Sequence, residues 1–281
     1  MMSAFMEKLS LPFRAVRWAC ILVRQGKTRL LLADSWTRLY KAWMEGLYAL
    51  TYRLGGRLVG PPNVTIRLQT GHPVAYESPD HLIPFGTSQN NSTNKKFVMS
   101  MRARLQRDFP AQTFGTLDLG CSGGQLVRDF LDLGYVAVGL EGSDYSLKAR
   151  RANWPALAGK HLFTCDVAHP FQIHIDERPA QFHLITMWEV LEHIETARLG
   201  QLFDNIVKHL APGGYFVAST TSEPDVHEGV DLHQTKWTNA EWRAHLAKSH
   251  PQLVWTDLGL AYYQMVRHNE ERSFLTYRRT S

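Results

Sequence analysis

The run Thr116-Leu117-Asp118-Leu119-Gly120-Cys121-Ser122-Gly123-Gly124-Gln125-Leu126 constrains the chain more than any other stretch. Leu117 and Leu119 alternate with Thr116 and Asp118, as in a short buried strand. Beyond the glycines, Leu126, Val127, Phe130 and Leu131 recur at helical spacing. Glycine lets the backbone turn sharply and lets a ligand approach the main chain closely. The helix start then directs amides and a partial positive charge toward that ligand. A strand, a tight turn and a helix in so short a span belong to an α/β fold with its ligand at the turn.

The rest of the chain repeats the alternation. Strands are predicted at 136–140, 162–165, 182–187, 215–219, 253–258 and 261–266, with Pro212-Gly213-Gly214 turning the chain into the fifth of the seven. A helix over 198–210 carries Leu199, Leu202, Phe203, Ile206 and Leu210 on one face. This pattern predicts a doubly wound, mostly parallel, seven-stranded Rossmann-like sheet.

Three segments are expected: a basic amphipathic helical extension over 1–60, a hairpin or lid over 61–94, and the main domain over 95–281. In the second, 64–68 reads as a strand and 74–76 as its returning partner, after a turn at Thr70-Gly71-His72-Pro73. A helix follows over about 95–107, with an N-cap offered by Asn91-Ser92-Thr93-Asn94. Residues 1–60 carry ten basic against three acidic residues, so the formal charge of +5 belongs to this extension and the remainder is slightly acidic. Trp18, Trp36, Tyr40, Trp43 and Tyr48 lie among its arginines. That composition suits either a helical extension with a solvated basic face or a peripheral membrane contact with aromatics at headgroup depth. A nucleic-acid partner is disfavoured, because the core is near neutral. Three scattered cysteines give no disulfide framework and fit a cytoplasmic location. No secretory leader or membrane-spanning run is read in the chain.

A nicotinamide-type fingerprint needs Gly-x-Gly-x-x-Gly. Here the pattern is Asp118-x-Gly120-x-x-Gly123-Gly124, with an acid where a diphosphate would be repelled and an ammonium welcomed. Glu141 ends the second strand, about twenty residues on, where a carboxylate accepts from ribose hydroxyls. Asp166 follows the third strand, placed for an adenine amino group. An amine, a ribose and an adenine without phosphate describe S-adenosylmethionine.

At these residues the chain resembles class I S-adenosylmethionine-dependent methyltransferases. The likeness runs over roughly 100–265, through 117–124, Gly139-Leu140-Glu141, Asp166, Glu189-Val190-Leu191-Glu192-His193 and Leu210-Ala211-Pro212-Gly213-Gly214 in that order. It implies a cofactor rim of Asp118, Gly120, Cys121, Ser122, Gly124, Glu141, Gly142, Ser143, Asp166, Val167 and Trp188. Two positions depart from the family pattern. Ser122 stands where glycine is usual, and His183 stands where an Asp is common.

The catalytic candidates lie after the fourth strand: Glu189, Glu192 and His193, with His233 downstream. The string resembles Glu-x-x-Glu-His methyltransferases that bind a divalent ion, among them ubiquinone-pathway O-methyltransferases and small-RNA 2′-O-methyltransferases. The likeness implies Glu189, Glu192, His193 and His233 around Mg²⁺. Two other readings stand beside it: His193 as a metal-free general base with Glu192, and simple lining of the cofactor pocket. The expected reaction is O-methylation of a carbohydrate or other small-molecule hydroxyl. Trp188, Trp237, Trp242, His81 and His227 are candidate acceptor contacts, under a lid built from 80–84 and 223–233. The alternatives are an RNA or N-methyltransferase, and a non-catalytic cofactor-binding partner subunit.

Overall fold

The computed structural model describes residues 62–82, 94–110, 114–260 and 272–280, together with positions 24, 39, 43, 46, 47, 50 and 54. The chain divides into two units, Met1–Gly55 and Gly56–Ser281. In the first, the described positions are helical, and Leu39, Trp43, Leu47, Leu50 and Leu54 are exposed. The rest of the expected extension lies outside the described residues. Among the described residues, no helix is long and apolar enough to cross a membrane.

The second unit is built on a central sheet. Its parallel strands are β2 (Gly115–Leu119), β3 (Val136–Glu141), β4 (Leu162–Thr164), β7 (Phe182–Trp188) and β8 (Leu210–Thr221). β11 (Leu253–Trp255) and β12 (Arg272–Arg279) complete it, β12 running antiparallel between β8 and β11. The order is β11-β12-β8-β7-β2-β3-β4. The expected seven-stranded, mostly parallel sheet is therefore present. β2 is an interior strand between β3 and β7: Leu117 pairs with Val138 on one side and Ile185 on the other. All five residues of β2 are buried, as befits a strand covered on both faces, and Asp118 is the charged exception. The chain reverses its winding at β2, so the crevice opens at the carboxyl ends of β2, β3 and β7.

Helices cover the sheet. α1 (Lys95–Asp108) buries Phe97, Val98, Met101 and Leu105. α2 (Gln125–Asp132) buries Leu126, Val127, Phe130 and Leu131. α3 (Leu199–His209) buries Leu199, Leu202, Phe203 and Ile206. α4 (Asn239–Ser249) begins with a capping box between Thr238 and Glu241 and buries Trp242 and Leu246.

Several local expectations are corrected. The segment 64–68 does not fold back on 74–76. Instead β1 (Ile66–Thr70) pairs antiparallel with β5 (Phe171–Ile175), and β5 pairs with β6 (Arg178–Pro179) in a separate small sheet. That long-range pairing buries Ile66 against the main core with Ile173 and Phe171, which a two-strand local hairpin could not do. Pro212-Gly213-Gly214 does not precede β8; it lies inside it. Gly213 takes φ 76° and the pairing shifts register between Phe182 and Leu184, so the strand bends without ending. The expected strand at 261–266 lies outside the described residues, and the seventh strand is β12, with Phe274, Leu275 and Tyr277 buried between flanking arginines.

Candidate active site

The turn after β2 is closed by its own hydrogen bonds. The amides of Gly120 and Cys121 both donate to the Leu140 carbonyl, at 2.8 and 3.0 Å, and the Gly124 amide donates to Cys121 O at 2.8 Å. The Ser122 amide donates to Glu141 Oε2 at 2.6 Å. These four amides are committed within the protein, so the turn itself is not a phosphate cradle. Ser122 adopts φ 47°, which explains why glycine is usual at this position; serine holds it here while its carbonyl accepts the Trp154 indole N–H at 2.6 Å. A Cβ at Gly124, φ 76°, would meet Leu162 Cδ1 at 2.5 Å. One at Gly120 would collide with Val190, so the absent side chain lets the loop after β7 sit directly on the turn.

Two buried carboxyls flank the turn. Asp118 Oδ1 accepts from Thr186 Oγ1 at 2.7 Å, across the β2–β7 pair. Glu141 accepts from the Ser122 and Ser143 amides, one on each oxygen. Burial pushes Asp118 up to about 7, against the Thr186 hydrogen bond. Burial likewise pushes Glu141 up to about 7, against the amides of Ser143 and Ser122. Each oxygen of Glu141 retains a lone pair that can accept from a hydroxyl. Asp166 accepts the Ala168 amide at 3.0 Å on Oδ1, while Oδ2 lies 3.6 Å from His169 Nε2 and 3.8 Å from Arg198 Nη1.

Other expected rim residues are placed differently. The Cys121 side chain is buried against Gly139, and Val167 belongs to the hydrophobic core, so both pack the rim from beneath. Ser143 Oγ accepts the Tyr145 amide at 3.2 Å, and Gly142 O accepts the Ala75 amide at 2.9 Å. Trp188 sits edge-on to Phe97 at 4.9 Å and stacks toward Phe274 at 6.2 Å. Trp242, expected as an acceptor contact, is fully buried under Trp237 and Phe203, because α4 directs it into the core. His183 is structural: its Nδ1 accepts the Gly115 amide at 3.3 Å and its ring meets Phe109.

Past β7 the chain makes a short 3₁₀ turn, Leu191–His193. The loop after β8 is fastened to it. Gln234 and Thr235 amides donate to Glu192 O at 2.6 and 3.0 Å, and Thr235 Oγ1 donates to Ile194 O at 2.7 Å. This clamp sets His233 beside His193, with ring centroids 4.9 Å apart. A carbonyl can only accept, so His193 Nδ1–H donates to Leu232 O at 3.2 Å and His233 Nδ1–H donates to Glu223 O at 2.5 Å. Each neutral imidazole then carries its lone pair on Nε2. Glu192, His193 and His233 each bring one ligand atom to within 4.8 Å of the others. Burial holds His193 below the usual histidine range, with the facing His233 adding to the effect and Asp80 opposing it. Glu189 stands outside this group. It takes φ 52°, and its Oε1 accepts from Ser219 Oγ at 2.6 Å, which turns the carboxylate toward β8. The expected four-residue set is thus three residues here.

The family model described as a methyltransferase domain matches residues 96–264. The chain belongs to this methyltransferase family. No curated protein matches it. Among solved structures, it is similar to the N-methyltransferase NodS from Bradyrhizobium japonicum WM9 in complex with S-adenosyl-L-homocysteine, at 16% identity over 70% of this chain and 92% of that one, TM-score 0.41. It is also similar to an S-adenosylmethionine-dependent methyltransferase from Clostridium acetobutylicum ATCC 824, at 14% identity over 72% and 96%, TM-score 0.48.

For this methyltransferase, the deciding chemical features are a turn with four of its amides committed and two acids kept protonatable by burial. Sequence reasoning named Asp118 and Glu141 but missed Thr186, whose signal is its in-register pairing with Asp118 once the strand order is known. It also missed the group Glu77, Arg198, His169 and His72, which comes together only in the fold.

The buried acids give a pH prediction. Both carboxyls stay largely protonated below about pH 7, since their folded values lie above the ordinary carboxylate range. A bound sulfonium and ammonium favour the ionised forms, so S-adenosylmethionine binding should release protons. Affinity should rise with pH up to about 7 and level off above it, by at most about tenfold per pH unit for each group. Calorimetry in two buffers of different ionisation enthalpy reads the proton release directly. An affinity that stays flat between about pH 5.5 and 8 contradicts this account.

Proposed function

We propose that this enzyme methylates a hydroxyl of a carbohydrate or similar small molecule, assisted by a divalent cation held by Glu192, His193 and His233. One observation carries the reading. Two imidazoles have their Nδ1–H tied to carbonyls, which leaves each ring its Nε2 lone pair, and Glu192, His193 and His233 each bring one ligand atom to within 4.8 Å of the others, just past β7 where Val190 packs on the turn after β2. Hydrogen bonding of the far ring nitrogen is the arrangement that orients metal-ligating histidines. The donor set fits a cation, and it shifts the expected ion. Two imidazoles with one carboxylate suit Mn²⁺, Co²⁺ or Zn²⁺ better than Mg²⁺, which prefers oxygen ligands.

S-Adenosylmethionine supplies the methyl group on a sulfonium, which leaves as a neutral thioether when the acceptor oxygen bonds to the methyl carbon. The chain's own task is placement. Asp118 faces the ammonium end and Glu141 accepts from the ribose hydroxyls, each held by the partners described above. Glu192, His193 and His233 lower the cost of removing the acceptor's hydroxyl proton, which is lost to solvent as the ether forms. Val190 packed on Gly120 keeps the two halves of the site in contact.

Chelation tests the cation. Enzyme stripped of metal should lose at least about 90% of methyl transfer into a glycan-enriched extract and recover it with Mn²⁺. Full activity in a verified metal-free preparation rejects the cation and leaves His193 as a general base.

A further inference from the structure

Side chains outside the methyl-transfer centre meet around Asp166. Glu77 and His72 come from the segment after β1, His169 from the loop between β4 and β5, and Arg198 from the turn Thr196–Arg198 that leads into α3. Arg198 joins them, and each nitrogen of its guanidinium has its own partner. Nη2 donates to Glu77 Oε2, Nε lies 3.4 Å from Glu195 Oε2, and Nη1 donates to His169 Nε2 at 2.9 Å. The same Nη1 stands 3.8 Å from Asp166 Oδ2. A planar fork gripped in this way is held in one orientation beside the carboxylate.

The histidine is fixed as well. Arginine can only donate, so His169 Nε2 accepts and carries no proton. It therefore has nothing to give Asp166 Oδ2, 3.6 Å away. The His72 ring stacks on His169 with centroids 3.7 Å apart and planes 8° apart, while the His72 carbonyl accepts the Asp166 amide at 2.9 Å. The two oxygens of Asp166 thus differ. Oδ1 takes the Ala168 amide at 3.0 Å. Oδ2 has the positive charge of Arg198 beside it, and among the described residues none donates a hydrogen bond to it. Asp166 is buried and lies two residues past β4, at the end of the sheet where ligands bind. A carboxylate oxygen in that state accepts strongly from an N–H.

We infer that Arg198 is a positioning residue for base selection: locked to Glu77 and His169, it aims Asp166 Oδ2 at the exocyclic N–H of the cofactor's adenine. The inference rests on the placement of Asp166 beside the base and adds to it a fixed direction. A base with a carbonyl at the same position would set oxygen against oxygen with no proton between them. A site built to bond an N–H rejects an analogue lacking it more strongly than an apolar pocket discriminates by shape.

The test is calorimetry of the full chain with S-adenosylhomocysteine and with S-inosylhomocysteine, which has a carbonyl in place of the amino group. Wild type should prefer the adenine compound by about 10- to 100-fold. The amide of Asp166→Asn can accept through oxygen or donate through nitrogen, so its preference should fall to about threefold or less. Arg198→Gln should fall to a similar level, about threefold, chiefly by losing affinity for S-adenosylhomocysteine. Arg198→Lys keeps a cation among Glu77, Glu195 and Asp166, so the fold is retained, but it lacks the fork and should show an intermediate preference. No preference in wild type, or an undiminished one in Asp166→Asn, removes Asp166 from the base and the inference with it. A preference lost in Asp166→Asn but kept at the wild-type level in either Arg198 variant leaves Asp166 as the base contact and overturns the role of Arg198. Equal weakening of both compounds in Arg198→Gln also overturns it, because that is what a merely structural loss would give.

Discussion

Replacing Glu141 by Ala should weaken S-adenosylmethionine binding by about 100-fold or more. The side chain does two things at once. Its oxygens take the Ser122 and Ser143 amides, and so shape both the turn after β2 and the loop after β3. On the proposed reading, its remaining lone pairs accept from the ribose hydroxyls. Each charged hydrogen bond lost is worth about 1.5–3 kcal/mol, and two buried amides are left without their acceptor at about 1–3 kcal/mol each. Part of that second cost falls on the free protein, so the thermal midpoint should drop as well. Glu141→Gln keeps one acceptor oxygen and the side-chain volume, and should lose about tenfold. Calorimetry with S-adenosylhomocysteine separates the two variants. A Glu141→Ala protein that binds within threefold of wild type would remove the carboxylate from the cofactor site.

The second large effect concerns the histidine pair. His193→Ala and His233→Ala should each reduce methyl transfer by about 10³-fold, with cofactor affinity nearly unchanged. The two residues serve one centre, so the double variant should cost little more than either single one. Each variant loses one imidazole bond to a backbone carbonyl, but the three bonds onto Glu192 O and Ile194 O still clamp the loops, so both variants should fold. Transfer of labelled methyl groups under single-turnover conditions reads the chemical step. Additive losses, multiplying to about 10⁶, would mean that the two histidines act separately.

The part of the site that was legible in the sequence is the part written on strand ends. Asp118 lies one residue before the end of β2, Glu141 ends β3 and Asp166 stands two residues past β4, so all three sit at the carboxyl ends of consecutive parallel strands, where ligands bind in open α/β sheets. Glu192 and His193 lie further on, in the turn Leu191–His193 that follows β7. Glu189 was misjudged because spacing along the chain says nothing of a residue with φ 52°, which turns its side chain back onto Ser219. The β1–β5 pairing joins Ile66 to Ile175 across more than a hundred residues, and no local pattern announces such a partner. β12 was obscured by charge: its buried centre is bracketed by Arg272, Arg278 and Arg279, where Arg278 donates to the Gly213 carbonyl at 3.1 Å instead of marking a loop.

The fastening of residues 232–235 onto 192–196 also sets how much of the segment above it can vary. The hairpin above it, β9 (Val226–His227) and β10 (Val230–Asp231), stands on that clamp, with Val226 and Val230 exposed. Its backbone ladder joins only its own two strands. Leu232 to Thr235 therefore mark a natural splice point. A hairpin that keeps Asp231, whose carboxylate accepts the His233 amide at 3.0 Å, can change length or composition ahead of it while the turn after β2 and the sheet keep their places.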